Sequence, residues 1–96
     1  MILGFADETT RDIHAGKDTK TARKVPKILW STVHRKLDML EAAHQIKDLQ
    51  APPGNRLEKL RGDRAGFWSI RVNDQYRIVF TFENGNADAV QIVDYH

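Results

Sequence analysis

The sequence predicts an α+β fold in which two N-terminal helices pack on one face of a mainly antiparallel sheet. Three observations support this prediction. Residues 66–82 form two runs rich in β-branched and aromatic residues around a short polar break, which is typical of a β-hairpin. Asn84-Gly85 marks a second tight turn, and residues 26–43 carry apolar side chains at helical spacing. A chain of 96 residues with this order of elements is expected to form a single domain, 1–96.

Composition excludes several classes of protein. The chain has no cysteine, so it has no disulfide framework and no thiolate metal site, which suits a reducing cytoplasm. Asp7 and Glu8 come too early for a signal peptide, and no apolar run approaches the roughly 20 residues that span a bilayer. We therefore expect a cytoplasmic protein without membrane association. The net charge of +2 is weak evidence for a nucleic-acid partner, so the placement of the arginines matters more.

The first quarter of the chain predicts a strand and a short helix. Residues 1–6 form an apolar run that we interpret as a first strand. Residues 9–15 are expected to form a short helix that is capped near Asp7 and stopped by Gly16. Residues 17–24 are polar and basic without periodicity, which indicates a loop or a frayed helix start.

The clearest helix is predicted to open at Pro26 and to end near Ala43. Its apolar residues follow a 3-4-3 spacing that makes one stripe against the sheet: Leu29, Trp30, Val33, Leu37 and Leu40. Its polar residues are expected to face away: Arg35, Lys36, Asp38 and Glu41. Residues 45–55 contain Pro52-Pro53-Gly54 and predict a crossing loop, followed by a strand over 56–61 and a turn over 62–66.

A three-residue loop at 73–75 gives the central hairpin a coherent apolar face. It pairs Val72 with Tyr76, Ile70 with Ile78 and Trp68 with Phe80 on that face. The opposite face then carries Arg71 directly across from Arg77, beside Ser69, Val79 and Thr81. Opposed like charges cost up to about 1 kcal/mol, so this pair suggests that an anion binds there.

A two-residue turn at Asn84-Gly85 predicts the register of the last strand. The core-face pairs are Phe82 with Ala87, Phe80 with Ala89 and Ile78 with Gln91, and the arginine-face pairs are Val79 with Val90 and Arg77 with Ile92. Alternation then brings Asp94 and His96 to the arginine face and directs Tyr95 away from it.

These side chains are the parts of a metal-free ribonuclease. Arg71 and Arg77 can hold a phosphate, and His96 can protonate a leaving oxygen. Asp94 can take a proton from an attacking hydroxyl, while Lys59 and Arg64 add positive potential for a polyanion. No tight cluster of histidine and carboxylates occurs, so we expect neither a metal nor another cofactor. The alternative is a solvated surface whose arginines pair with Asp94 and Glu58.

Three segments, 60–72, 76–80 and the closing Asp94-Tyr95-His96, resemble the HigB branch of the RelE toxin superfamily. The similarity implies a RelE-like fold and a bacterial toxin of a type II toxin–antitoxin pair. Such toxins enter the ribosomal A site and cut messenger RNA, which inhibits translation. The implied partners are the ribosome, its mRNA and a helix-turn-helix antitoxin of the HigA type, with operator DNA reached only through the antitoxin.

The resemblance also implies roles for individual residues. Arg77 matches the phosphate-binding arginine, Arg61 a basic residue near the scissile phosphate, and the triplet 94–96 the functional C-terminal residues. Tyr95 would orient the substrate or stack on a base. Glu58 departs from the HigB pattern, where a histidine is common, and looks like the glutamate general base of the YoeB branch, in which Arg71 also has a counterpart. The proton acceptor therefore stays open between Glu58, Asp94 and a water-mediated route.

Two rival functions remain at this point. A ParE-like toxin on the same scaffold would poison DNA gyrase without catalysis, and a third reading is an RNA-binding or regulatory domain without activity. The ParE-like reading leaves the Arg71–Arg77 pair and the terminal His96 unexplained.

Overall fold

A computed structural model describes residues 1–95 and has the predicted α+β architecture. Its main elements are α1 (Glu8–His14), α2 (Trp30–Ala42), β1 (Glu58–Lys59), β2 (Trp68–Arg71), β3 (Tyr76–Glu83) and β4 (Asn86–Asp94). The four strands form an antiparallel sheet in the order β1-β2-β3-β4. The predicted first strand is reduced to two isolated parallel bridges, from Ile2 and Phe5 to β4. No helix in residues 1–95 has the length and apolar character to cross a membrane.

Helix α1 begins and ends close to the predicted positions. The Asp7 carboxylate caps it by accepting a hydrogen bond from the Thr10 amide at 2.9 Å, and Gly16 follows its end with a φ of 76°. Thr10 is buried, and its hydroxyl accepts a hydrogen bond from the Ile92 amide at 2.9 Å. The cap segment thus ties α1 to β4.

Helix α2 begins at Trp30 and not at Pro26, because the first predicted turn is the 3₁₀ turn Lys27–Leu29, and it ends one residue before the predicted position. Its stripe packs on the sheet as predicted, with Val33, Leu37 and Leu40 completely buried. The prediction for Lys36 was wrong, because this residue is only 6% exposed. The loop that follows α2 returns beside the helix, and the Lys36 ammonium donates a hydrogen bond to the Asn55 side-chain oxygen. Burial, with added repulsion from Arg35 and Arg71, lowers the pKa of Lys36.

The crossing loop consists largely of two 3₁₀ turns, Ile46–Gln50 and Pro53–Asn55. The strand after it is shorter than predicted, because only Glu58–Lys59 pair as β1. Arg56 has a φ of 45°, a left-handed conformation that cannot continue an extended strand. At the other end, Leu60 still bonds to Phe67, but the chain then enters the 3₁₀ turn Gly62–Arg64.

The central hairpin has the predicted register. The pairs are Trp68–Phe80, Ser69–Val79, Ile70–Ile78 and Arg71–Arg77. The three-residue loop is confirmed by a 3.0 Å hydrogen bond from the Val72 amide to the Tyr76 carbonyl. The Asn73 side-chain oxygen accepts from the amides of Gln75 and Tyr76, which stabilises the turn.

The second hairpin begins as predicted and then departs from the prediction at a β-bulge. Asn84 and Gly85 form the two-residue turn with φ of 54° and 78°, and Phe82 pairs with Ala87. Ala89 has a φ of 49°, and the pairing slips between Val79 and Thr81.

Beyond the bulge the predicted pairs were wrong by one residue. The observed pairs are Val79–Gln91, Ile78–Ile92, Arg77–Val93 and Tyr76–Asp94, in place of Phe80–Ala89, Ile78–Gln91, Val79–Val90 and Arg77–Ile92. The physical reason is burial. The extra residue turns both Val90 and Ile92 into the core, whereas a regular ladder would have buried Gln91 in place of Ile92.

The sheet separates the core from a second face. Ile70, Ile78 and Phe80 are completely buried on the helix side. On the other side, Ser69 and Val79 are also buried, so the arginine face is partly covered by other parts of the chain. The side chain of Arg77 contacts Ser69 there, and this contact defines the centre of the site described next.

Candidate active site

Arg77 is held by three oxygen atoms on the second face of the sheet. Its Nη1 lies 3.0 Å from the Ser69 hydroxyl, 3.4 Å from the Arg56 carbonyl and 3.5 Å from a carboxylate oxygen of Glu58. Only 17% of the Arg77 side chain is exposed, whereas 59% of Glu58 is exposed. The guanidinium is therefore fixed in direction, with a solvent-accessible carboxylate at its side.

Strand register explains why these groups meet. Glu58 pairs with Ser69 across β1 and β2, so their side chains share a face. Arg77 lies on the next strand, diagonal to Ser69, because Ser69 pairs with Val79. Glu58 and Arg77 therefore flank Ser69 on the same face of the sheet.

Tyr95 lies beside Arg77, so the predicted faces of Tyr95 and Asp94 were both wrong. The guanidinium carbon of Arg77 lies 5.6 Å from the Tyr95 ring centroid, and Tyr95 is 43% exposed. The bulge at Ala89 changes the face of every later side chain on β4, so Tyr95 comes to the arginine face and Asp94 leaves it. Asp94 pairs with Tyr76 and accepts a hydrogen bond from the Gln75 side chain at 3.0 Å. The Tyr95 amide donates to the Gln75 carbonyl at 2.7 Å.

His96, the predicted proton donor, lies outside the described residues. Its distance from Arg77 stays a prediction.

A cleft of about 550 Å³ opens beside Glu58 and Tyr95. It is lined by Leu57, Glu58, Lys59, Leu60, Arg61, Arg64 and Tyr95. The cleft brings the predicted residues Arg61 and Arg64 together with Glu58, and both arginines lie on the segment that connects β1 to β2. Lys59 pairs with Trp68 in register, and its ammonium lies 5.8 Å from a Trp68 ring centroid. Three cationic residues against one carboxylate make the lining attractive to an anion.

Arg71 takes a different direction from Arg77, although the two residues are directly opposite each other in register. Its guanidinium forms an ion pair with Asp74 in the hairpin loop. This contact lowers the pKa of Asp74. Pairing with Asp74 gives Arg71 a counter-charge and reduces the repulsion that its position opposite Arg77 would cause.

Sequence reasoning missed two of the groups that hold Arg77. Ser69 was placed on the arginine face, but no role was given to it, although its diagonal position already indicated contact with Arg77. The Arg56 carbonyl carried no signal in the sequence, because it reaches Arg77 only through the left-handed backbone of Arg56.

The arrangement suits chemistry on a phosphodiester. The largely buried guanidinium of Arg77 can bind a phosphate and stabilise the charge that develops on it. A carboxylate 3.5 Å away can accept a proton, and an exposed aromatic ring can stack on a base. Within residues 1–95, no group of three or more histidine, cysteine, aspartate or glutamate side chains is placed to hold a metal ion.

Comparison with known proteins agrees with this fold. The family model described as "RelE-like toxin of type II toxin-antitoxin system HigB" matches residues 4–96. Toxin HigB-1 of Vibrio cholerae is 41% identical over 87 residues, which cover 91% of this chain and 90% of that protein. Endoribonuclease HigB of Proteus vulgaris is 38% identical over 64 residues, which cover 67% of this chain and 68% of that protein.

Among solved structures, the YoeB–YefM complex from Staphylococcus aureus contains a similar chain. The TM-score is 0.62 at 14% sequence identity, and the match covers 100% of this chain and 98% of the other. At this identity the likeness concerns the fold, which is that of RelE-like toxins.

Proposed function

The chain belongs to the HigB family of RelE-like toxins of type II toxin–antitoxin systems, and from this membership we propose that it is an endoribonuclease that cleaves messenger RNA. The name of the Proteus vulgaris relative supports this activity. The observation that carries the proposal is the position of Arg77, held between the Glu58 carboxylate and the Tyr95 ring at the edge of a basic cleft.

In the proposed reaction, the 2′-hydroxyl of the RNA attacks the adjacent phosphorus atom, and the 5′-oxygen leaves. Glu58 takes the proton of the 2′-hydroxyl, Arg77 stabilises the charge on the phosphorane, and His96 protonates the leaving oxygen. The products are a 2′,3′-cyclic phosphate, or the 3′-phosphate after hydrolysis, and a 5′-hydroxyl. The register of β4 favours Glu58 over Asp94 as the acceptor, because Asp94 pairs with Tyr76 on the other face.

The remaining residues of the cleft would bind the RNA strand. Arg61 and Arg64 line the cleft and are proposed to contact phosphates next to the scissile one, with Lys59 and Arg71 adding positive potential. Tyr95 would stack on a base beside Arg77.

A cognate antitoxin is the expected partner of a toxin of this family. We propose that this antitoxin is a HigA-like helix-turn-helix protein, through which the toxin is brought to operator DNA. We further propose that cleavage takes place in the cytoplasm, on mRNA in the ribosomal A site.

Mapping of RNA ends after brief induction in bacteria tests the proposal. Wild-type protein is expected to produce new 5′-hydroxyl ends within translated mRNAs, while Arg77→Ala and Glu58→Gln should produce few or none. Arg11→Ala, an exposed arginine on α1, is the matched control and should leave the breaks unchanged. A DNA damage response without mRNA breaks would instead support a gyrase poison, and neither signal would support a binding domain without activity.

A further inference from the structure

Asn55 is a completely buried amide whose hydrogen-bonding groups are all directed at protein atoms. Its Nδ2 donates to the Leu49 carbonyl at 3.1 Å and to the Ala51 carbonyl at 3.3 Å. Its Oδ1 accepts a hydrogen bond from the buried ammonium of Lys36. These partners also fix the orientation of the amide, since carbonyl oxygens require the nitrogen and an ammonium requires the oxygen.

The Asn55 contacts bind three parts of the chain to one point. Lys36 belongs to α2, Leu49 and Ala51 belong to the crossing loop, and Asn55 ends the 3₁₀ turn that leads into β1. Because the amide is buried, breaking these bonds would leave two carbonyl groups and an ammonium without partners, which is unfavourable away from water. The turn is therefore held firmly against the helix.

The residue after Asn55 reaches the active site directly. Arg56 adopts a φ of 45°, its amide donates to the Pro53 carbonyl at 3.1 Å, and its own carbonyl lies 3.4 Å from Nη1 of Arg77. Two residues further along, Glu58 places its carboxylate 3.5 Å from the same nitrogen. Two of the three oxygen atoms around Arg77 thus come from the segment that Asn55 anchors.

We propose that Asn55 is a positioning residue of the active site, which fixes the Arg56 carbonyl and the Glu58 carboxylate around Arg77. Asparagine suits this task because its amide supplies two donors and an acceptor at a short reach. Aspartate would keep the contact with Lys36 but would place a carboxylate against two carbonyl oxygens. This inference rests on the proposed ribonuclease function, but its geometric part concerns Arg77 alone.

A double-mutant cycle measures the coupling between Asn55 and Arg77. In the otherwise wild-type toxin, Asn55→Ala is expected to lower kcat for RNA cleavage by about tenfold or more while changing KM by less than about threefold. In an Arg77→Lys background, where the guanidinium fork is already lost, the same change should cost a distinctly smaller factor, because only the displacement of Glu58 still affects the reaction. Equal factors in both backgrounds, or an unchanged kcat, would overturn the proposal.

Two further variants separate positioning from a general loss of stability. Ile13→Val lowers stability from the core on the helix side and should leave kcat unchanged at temperatures where the protein is folded. Asn55→Asp serves as the second variant if Asn55→Ala does not fold. Its kcat should also be reduced. Full activity of Asn55→Asp would show that the hydrogen bonds from Nδ2 to the Leu49 and Ala51 carbonyls do not position the active site.

A readout independent of activity distinguishes this proposal from the proposed function. The NMR resonances of the Arg77 guanidinium should shift in Asn55→Ala and stay in place in Ile13→Val. If the wild-type toxin cleaves no RNA but these resonances shift, the ribonuclease assignment fails and the positioning geometry stands. If they do not shift, the role of Asn55 is refuted whatever the activity of the wild type.

Discussion

The ring centroid of Tyr95 lies 5.6 Å from the guanidinium carbon of Arg77. At a partly exposed site such a cation–π contact contributes about 0.5–1 kcal/mol, so it orients the two side chains more than it stabilises the fold. Together they place a cation and an aromatic surface side by side, which suits a phosphate and a base of the proposed RNA substrate.

Replacing Tyr95 should affect binding through its ring. Tyr95→Ala is expected to weaken binding of a non-cleavable 2′-deoxy-substituted RNA by roughly 1–3 kcal/mol, the usual contribution of one stacked base. Tyr95→Phe keeps the ring and should bind within about twofold of wild type. Equilibrium titration at a single salt concentration provides the measurement, and equal losses in both variants would contradict stacking.

Replacing Arg77 should affect the chemical step. Arg77→Ala is expected to reduce kcat by about 10²–10³, as does the loss of one donor that stabilises transition-state charge. Arg71→Ala is the matched arginine control. Because Arg71 is paired with Asp74, its removal should change kcat by less than about tenfold and act mainly on affinity and salt dependence. Single-turnover cleavage separates the two effects, and similar kcat losses would show that the arginines act as one group.

Ser69→Ala should reduce activity while the fold is retained. The change removes the 3.0 Å hydrogen bond to Arg77, and a bond to a charged group contributes about 1.5–3 kcal/mol. We therefore expect kcat to fall by roughly tenfold or more, since the guanidinium loses its buried partner. Ser31→Ala, at an exposed position of α2, is the control. Wild-type kcat in Ser69→Ala would exclude an orienting role for the hydroxyl.

Lys36 should give the stability a dependence on alkaline pH. Burial lowers the pKa of Lys36 from its ordinary value of 10.5, so the unfolded chain binds this proton more tightly than the folded chain. The free energy of unfolding should then rise with pH between the lowered pKa and 10.5. Urea denaturation at about pH 8 and about pH 10 measures this rise.

The Lys36 contribution is isolated by difference. Lys36→Met should lack the rise that comes from Lys36. The free energy of unfolding of the wild type should therefore increase relative to that of the variant as the pH is raised. Lys24→Met, at an exposed position, should keep the wild-type slope. Parallel slopes for wild type and Lys36→Met would show that Lys36 has the same affinity for its proton in both states.

Ala89 stores strain that glycine would relieve. Its φ of 49° is a left-handed conformation that costs a residue with a Cβ about 1–2 kcal/mol and costs glycine little. Part of the gain is offset by the greater freedom of glycine in the unfolded chain, so Ala89→Gly should stabilise the protein by about 0.5–1 kcal/mol in urea denaturation. A loss of stability would show that the Ala89 methyl group packs more favourably than its half-buried position indicates.

The central hairpin could be predicted because local and long-range signals agree there. The Asn73-Asp74-Gln75 loop and the alternation of apolar residues both select one register, and the structure has it. Because the register was correct, Ser69 and Arg77 were predicted on the correct face. The apolar stripe of α2 was predicted for the same reason.

The bulge in β4 and the burial of Lys36 could not be predicted, because they depend on packing energies that no local sequence pattern reveals. The bulge forms because the free energy gained by burying Val90 and Ile92 exceeds the strain of a left-handed Ala89. The Asn84-Gly85 turn gives no indication of it. The burial of Lys36 depends on Asn55, which lies 19 residues away. Tyr95 and Asp94 lie on the faces opposite to those predicted because of the bulge alone.

The β-bulge at Ala89 makes the number of residues in β4 as consequential as their identity. Inserting one residue between Val90 and Tyr95, with the pairing up to the bulge kept, would move each later side chain to the opposite face, so Asp94 would stand where the Tyr95 ring now meets the guanidinium. Variation in this segment should therefore be tolerated as substitutions and not as single insertions, even those that preserve the apolar composition of the strand.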